Sequence, residues 1–584
     1  MEQLKVLALL LTHLLMTGLP GAAAVLIAAR RRVTHIPLLL AIGLAASGAT
    51  AMLGFWLYYA APIIGKTFSV FVLVGSVWIV AVSIRGRRID RSLTRPLATP
   101  LVLWMLGSSF LVFLGFLHGG SGASIVTSAT RFTGFRLPSD NDIPQFFATW
   151  FYTHGHNGIP PVYPGDWLAS DRPPLQIGYV MMQRPLGWDN SGLNYELVAV
   201  ALQQLWIIGL WALLVAARVG RMTRLLAMLS VLVSDLAIVN GFFVWPKMLP
   251  AAMLLAAAAL MITPAWSDVR RQPAAGVLIG LLLVLAMLGH GSSVFGIVPL
   301  ALIAAVRGLP SWRWLALAVA VGVLLYVPWS SYQKYGDPPG NRLTKWALAG
   351  TVTPDGHSTS TDIVDAYRHA GVGGTLHNKA ENFVVISGGG PMVSDLKSAV
   401  DAAESGDLAT AVVDIRGILF FDLLPSFGLL LIVPVLMLVA RSRRALSGPE
   451  WRFALTCYSV VSLGAIIEGL VLFGNVPSQA VIHEGSYMLP VLGFCAAVAG
   501  ARAAFPRFAG YLVGVSALVS VAIYAPVLNP SPGTGYEPIA IAVAAASLAA
   551  FGLVALRSQS EPATGPQPTT VELVTAKSGQ LHQT

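Results

Sequence analysis

The stretch "LPSDNDIPQFFATWFYTHGHNG", residues 137–158, sets Asp140 and Asp142 one residue apart, just before an aromatic run. Carboxylates so placed suit general-base work, in which one takes a proton from an attacking hydroxyl while nearby cations hold a departing anion. Candidate cations recur along the chain. Arg172 follows Asp171 in "GDWLASDRPPLQIGYVMM" (165–182), and Lys247 sits in "FFVWPKMLPA" (242–251). Arg342 and Lys345 lie in "YGDPPGNRLTKWALAG" (335–350), a Pro/Gly turn whose amides can also bind anions. Plainer readings stand beside these: helix caps for the aspartates, snorkelling for Lys247, and an ion pair with Asp171 for Arg172. Pro144 suits a first helical turn, so Asp140 or Asp142 starts a helix, with Phe146, Trp150 and Phe147 on its holding face.

Other polar residues widen the list. His154 and His156 in "THGHNG" are spaced so that a divalent cation shared with Asp140 or Asp142 is conceivable; the alternative is two hydrophilic loop residues. His290 in "LGHGSS" marks the tip between two short apolar runs, a place for a cavity-lining residue. His483, Glu484 and Tyr487 in "VIHEGSYML" begin another apolar run and are candidates for contact with a sugar. Glu468 in "AIIEGLVL" reads as the one acid near the middle of an apolar run, where an acid marks a proton or ion path. "VISGGGP" (385–391) is only a glycine cluster, and without a Walker loop the chain does not read as an ATP-driven pump.

These residues must be positioned by a chain of 584 residues, 55% hydrophobic and only 11% charged. Apolar runs near the roughly twenty residues that cross a bilayer recur from end to end. The expected fold is an all-α polytopic membrane protein with about 13–15 transmembrane helices. Spans are placed at 5–29, 35–60, 67–84, 97–117, 194–217, 225–244, 248–262, 274–289, 292–306, 314–330, 417–440, 453–473, 487–501, 508–527 and 538–556. The pieces 274–289 and 292–306 are short and read equally as a re-entrant hairpin. The first run is long and stopped by Arg30–Arg32, so it reads as a retained span rather than a cleaved signal.

The net charge of +10 concentrates in alternate short loops: "RRR" (30–32), "RGRRIDRSLTR" (85–95), "RVGRMTR" (218–224), "RSRR" (441–444) and "RAAFPR" (502–507). Basic loops stay in the cytoplasm. The N-terminus and two long loops, 118–193 and 331–416, are then extracytoplasmic, with short surface helices expected at 361–370 and 393–410. This distribution gives no sign of nucleic-acid binding. Cys457 and Cys495 both fall in apolar runs and read as buried thiols. The domain reading is a three-span extension 1–96, a module 97–416 carrying the outer loops, C-terminal spans 417–556, and a disordered cytoplasmic tail 557–584.

An acid at the start of the first large outer loop, an aromatic helix, and then a basic residue before "PPL" resembles the GT-C superfamily of membrane glycosyltransferases. The likeness is nearest to lipid A aminoarabinose transferases and protein O-mannosyltransferases. Their loop acid is usually Asp-Glu and their later motif His- or Lys-Pro-Pro-Leu; here the acids read Asp-Asn-Asp and the basic residue is Arg172. The motif covers about 140–180, the topology 97–556. The resemblance implies an inverting glycosyltransferase of the cytoplasmic membrane with its active site outside. A polyprenyl-phosphate sugar would be the donor, a glycan or glycolipid the acceptor, and membrane lipid the surroundings. It implies Asp142, ahead of Asp140, as base, with Lys247, Arg342, Lys345 and Arg172 at the phosphate. His154, His156, Asp171, His290, His483, Glu484 and Tyr487 would surround the substrates, with a divalent cation left open. Arg-rich inner loops and abundant Ala are compatible with a high-GC bacterium, where arabinose or mannose is plausible. Two alternatives remain: a transporter or flippase for lipid-linked sugars, favoured by Glu468, and a glycan polymerase or ligase, which the early acids oppose.

Overall fold

The computed structural model describes residues 2–86, 91–116, 140–186, 192–353, 356–418, 423–443, 446–474, 484–524 and 537–558. His483, most of 118–139 and the tail from 559 lie outside the described residues. The described chain is helical throughout, apart from one isolated β-bridge between Tyr163 and Trp167. The helices run α1 (Glu2–Arg30), α2 (Ile36–Ala60), α3 (Pro62–Arg85), α4 (Arg91–Leu114), α5 (Ile143–His154), α6 (Leu175–Gln183), α7 (Gly192–Gln203) and α8 (Trp206–Ala216). Then come α9 (Arg221–Leu232), α10 (Asp235–Phe242), α11 (Met248–Met261), α12 (Pro273–Gly289), α13 (Val294–Val306) and α14 (Trp312–Ser331). The remainder are α15 (Arg342–Ala349), α16 (Thr359–Ile386), α17 (Gly389–Glu404), α18 (Leu408–Ile418), α19 (Val433–Arg443), α20 (Pro449–Val471), α21 (Met488–Ala504), α22 (Pro506–Tyr524) and α23 (Pro538–Arg557).

Ten described helices are long and apolar enough to cross a membrane, eleven when the bent pair α9–α10 counts as one span. Four shorter apolar helices fall at Met248–Met261, Pro273–Gly289, Gly291–Val306 and Met488–Ala504, where the sequence also places spans. Short loops turn the chain back between α1 and α2 and again between α2 and α3, and side-chain contacts mark two ends of the bundle. At one end Arg30 reaches Ser83 (2.7 Å), Arg95 the carbonyl of Arg557 (3.0 Å), and the Gly220 N–H the carboxylate of Glu450 (2.8 Å). At the other end His156 meets the Tyr59 carbonyl (3.2 Å), Ser292 meets Ser486 (2.8 Å), and Ser170 N–H reaches Asp337 (2.9 Å). The arginine-rich loops and the candidate site therefore occupy opposite ends.

Close helix approach depends on small residues. A Cβ on Gly209 would stand 2.4 Å from the carbonyl oxygen of Ala252, so α8 meets α11 backbone to backbone. The boundary drawn at 96/97 is not a packing boundary. Helix α2 is buried along most of its length and packs on α6, α8, α11 and α12, so the first helices form part of the central bundle. The 331–416 segment is also more helical than expected: α16 runs on to Ile386 past a left-handed break at Gly371 (φ 60°). "VISGGGP" becomes its turn into α17, with Gly388 and Gly389 at φ 99° and 62°. Both cysteines are buried free thiols, as expected.

Substituting Gly209→Leu will force α8 from α11 and lower the thermal midpoint in detergent by many degrees. Gly322→Leu, where an added Cβ meets nothing within 4 Å, will leave the midpoint unchanged; equal effects at both positions would contradict this packing.

Candidate functional site

Asp140, Asn141 and Asp142 lead into α5 and do three different jobs. Asp140 is buried and paired with Arg172, Oδ2 to guanidinium 2.7 Å. Asn141 is a structural hook. Its Oδ1 accepts from Val244 N–H (2.8 Å), its carbonyl accepts from the Tyr195 phenol (2.7 Å), and its amide reaches Glu196 (3.4 Å). Asp142 holds the N-cap position of α5, but its carboxylate makes no capping bond; it accepts from the Tyr163 phenol instead. Asp142 is exposed. Burial, and next the adjoining Asp142, push the Tyr163 phenol well above its usual range, which keeps it a donor.

Of the expected seating residues of α5 only Phe147 is buried. Ile143, Phe147 and Phe151 are buried at four-residue spacing, while Phe146 and Trp150 are only half-buried. Phe146 packs edge-on against Tyr163 (5.3 Å), and Trp150 stacks on His154 (3.9 Å). The turn 163–167 is closed by reciprocal backbone bonds between Tyr163 and Trp167 (2.9 and 3.1 Å), with Gly165 and Asp166 at φ 87° and 62°. It points one aromatic side chain at the acid and another at the cations. Both the Arg172 and Arg342 guanidiniums lie over the Trp167 ring, at 4.1 and 4.0 Å.

Lys247 does not snorkel. It is 2% exposed, lies 2.9 Å over the Trp245 ring, and is within electrostatic reach of Asp140, Arg172 and Glu484. The break that carries it is satisfied by buried amides. Gln176 donates to the Val244 carbonyl (2.8 Å) and Gln203 Oε1 accepts from the N–H groups of Met248 (2.9 Å) and Leu249 (3.2 Å). His290 lies near Lys247 and Arg172 and bonds Ser292 (2.9 Å). Ser292 in turn holds Ser486, where Gly485, Ser486 and Tyr487 form a left-handed run (φ 55°, 46° and 60°). For the two non-glycine residues that backbone costs of order 1–2 kcal/mol each. The structure thus gathers Asp140, Arg172, Lys247, His290 and Glu484 beneath the exposed Asp142, with Tyr487 buried beside them.

Other expected residues have different employment. Arg342 donates to the carbonyls of Asp166 (2.7 Å), Val352 (3.0 Å) and Gly165 (3.2 Å). Lys345 forms a buried ion pair with Asp362 (3.0 Å), which ties α15 to α16. Arg342 thus tethers α15 to the 163–167 turn, as Lys345 tethers it to α16. His154 turns to Thr153 (2.7 Å) and His156 to Tyr59, and among the described residues no three His, Cys, Asp or Glu side chains gather to hold a metal ion. Asp171 caps its own turn through Leu168 N–H (3.0 Å), and burial pushes its carboxyl, like that of Asp337, above the usual range. Glu468 is not at mid-span: it lies in the last turn of α20, beside the Gly469 carbonyl that Asn382 binds (3.0 Å).

Sequence reading missed Tyr163, Asn141, Gln176 and Gln203. The glutamines inside apolar runs carried a usable signal, because amides in such runs must find partners. The fold places this chain among all-helical proteins built for multiple membrane crossings. Neither a protein-family model, nor a curated protein, nor a solved structure matches it.

Because the folded state holds the protons of Asp171 and Asp337 more tightly than the unfolded chain, their burial penalises stability at high pH. The contribution is most favourable below about pH 4 and falls as pH rises through the raised folded values. Asp171→Asn will flatten that fall, measured as thermal midpoints from about pH 4 to pH 7; a slope identical to the parent chain would contradict the assignment.

Proposed function

We propose that the protein is a membrane glycosyltransferase that moves a sugar from a polyprenyl-phosphate donor to a hydroxyl of a cell-envelope glycan or glycolipid. The observation that carries this reading is the pairing of an exposed carboxylate, Asp142, with the buried Asp140 and Lys247 and the half-buried Arg172, at the bundle end opposite the arginine-rich loops. With the arginine-rich end in the cytoplasm, the site faces outward, where a lipid-borne sugar needs no nucleotide.

Asp142 takes the proton of the acceptor hydroxyl, whose oxygen attacks the anomeric carbon. The bond from that carbon to the phosphate oxygen breaks, the configuration inverts, and polyprenyl phosphate leaves. Arg172 and Lys247 offset the charge that develops on the departing phosphate; both are backed by indole rings, and Lys247 is shielded from water, where such attraction is stronger. Asp140 orients Arg172 rather than acting as base, because its carboxylate is already engaged. Tyr163 fixes the Asp142 rotamer through the phenol bond.

Purified protein supplied with a panel of radiolabelled polyprenyl-phosphate sugars tests this. Asp142→Asn is expected to lower transfer by about 10²–10⁴-fold with donor binding kept, whereas Lys247→Met weakens donor binding itself. Full transfer by Asp142→Asn would remove it from the mechanism. Failure of the parent chain to turn over any donor would shift the reading to transport of lipid-linked sugars.

A further inference from the structure

The bent span α9–α10 turns by 51° between Leu232 and Asp235. At the bend lies a cavity of about 40 Å³ lined by Ser230, Ser234, Asp235, Ser426, Ser516 and Ser520. The sequence reading counted Glu468 as the one acid deep in an apolar run; Asp235 is another, and it lies at the break of the bent span Arg221–Phe242. Its position can be fixed by neighbours. Ser516 and Ser520 belong to the second half of α22, and Phe494 to the early turns of α21, so the cavity sits in the half of the bundle nearer the candidate site. A second broken element borders it, the 425–432 segment with Gly428 at φ 47°.

The hydrogen bonding decides what such a cavity can hold. Ser230 donates its proton to the Ala227 carbonyl (2.9 Å), Ser234 to Val231 (2.7 Å), and Ser426 to Leu423 (2.9 Å). Three hydroxyls have therefore spent their donors backward along the chain and present lone pairs, though Ser234 uses one of its own to accept from Ala237 N–H (3.2 Å). The Ser516 oxygen is buried with no hydrogen-bond partner among the described residues. Asp235 is 2% exposed, and its carboxylate accepts from backbone N–H groups at the helix start, Leu236 N–H reaching Oδ1 (2.8 Å). The polar part of the wall thus presents oxygen acceptors around one carboxylate, set among apolar side chains such as Phe427, Leu430 and Phe494, a lining that suits a hard cation rather than an anion. Charge selects the valence. A monovalent ion on Asp235 leaves the apolar surroundings neutral, whereas a divalent ion would strand a net positive charge there. The volume admits one ion with a water or two, and excludes a sugar or a lipid chain.

We propose that the cavity at the α9–α10 bend is a binding site for a monovalent metal cation, with Asp235 as its anionic ligand and the serine hydroxyls completing its oxygen shell. Broken spans place oxygen ligands for such ions in membrane proteins generally. The bound ion braces the bend, and α10 carries that geometry up to Lys247. This site stands apart from the glycosyltransferase reading and survives its failure.

Thermal unfolding of the detergent-purified full chain in sodium, potassium or choline chloride at equal ionic strength is the test. A saturable rise in midpoint with sodium or potassium over choline, lost in Asp235→Asn, is the expected result. Should Asp235→Asn not fold, Ser230→Ala and Ser516→Ala supply the reading, with the half-saturating cation concentration raised at least tenfold in each. Equal midpoints in the three salts, a cation response retained in Asp235→Asn, or unaltered half-saturation in both serine variants would overturn the proposal. A midpoint that follows pH but no metal cation would mean that Asp235 holds only a proton, which also overturns it.

Discussion

An amide inside an apolar bundle must find its partner or cost several kcal/mol, and this requirement fixes the candidate site more firmly than any charge does. Asn141 Oδ1 takes the Val244 N–H, Gln176 takes the Val244 carbonyl, and Gln203 takes two N–H groups at the start of α11. Gln203 is itself oriented by its amide bond to Gln176 Oε1 (2.9 Å). The chain can leave helical geometry between α10 and α11 because these side chains satisfy the backbone groups that the break releases. Lys247 stands in that break. Its place relative to Asp140 is thereby set by neutral bonds that salt does not screen and pH does not titrate.

Charges are then laid on indole surfaces. Lys247 rests on Trp245, while Arg172 and Arg342 share Trp167. A ring face stabilises a cation without neutralising it, so the cation remains able to attract an anion. The carboxylates are divided differently. Asp140 is engaged by Arg172, and Asp142, two residues on, meets only a phenol among its described hydrogen bonds while staying open to solvent. Two acids of one type, one residue apart, thus acquire separate tasks through what surrounds them. On the proposed reading, one positions a phosphate-binding cation and the other handles the acceptor proton.

Hydropathy and loop charge made the helical layout legible, since span length and arginine placement are local properties of the sequence. Pro144 and the aspartates correctly marked the start of α5. The seated face of α5 was read correctly at Phe147 but not at Phe146, whose residue type says nothing about Tyr163, a partner that arrives from farther along the chain. Arg342 and Lys345 look like free cations in sequence; their partners, carbonyls near Gly165 and the carboxylate of Asp362, are set by tertiary contact. Snorkelling stood as the alternative reading of Lys247 for the same reason: Trp245 is only two residues away, but the burial of both is set by tertiary contact. Tyr163 carried no local sign of acting on Asp142.

The two acids within the α20 and α9–α10 runs show why depth in a hydropathy plot is a weak guide to function. Glu468 appears central in "AIIEGLVL" because the apolar run continues past the helix end, yet the helix stops at Val471 and places the acid in its final turn. Asp235 appears unremarkable because serines flank it and the run looks merely diluted. In three dimensions those serines turn their protons back along the chain, the helix bends beneath them, and two other elements close the space. A polar residue within a span acquires meaning from the direction of its neighbours' donors and lone pairs, and at Asp235 these converge on acceptance. The bend and the oxygen-rich lining are therefore one feature: bending the span opens the space, and Ser234 caps the helix that restarts there by accepting from Ala237 N–H.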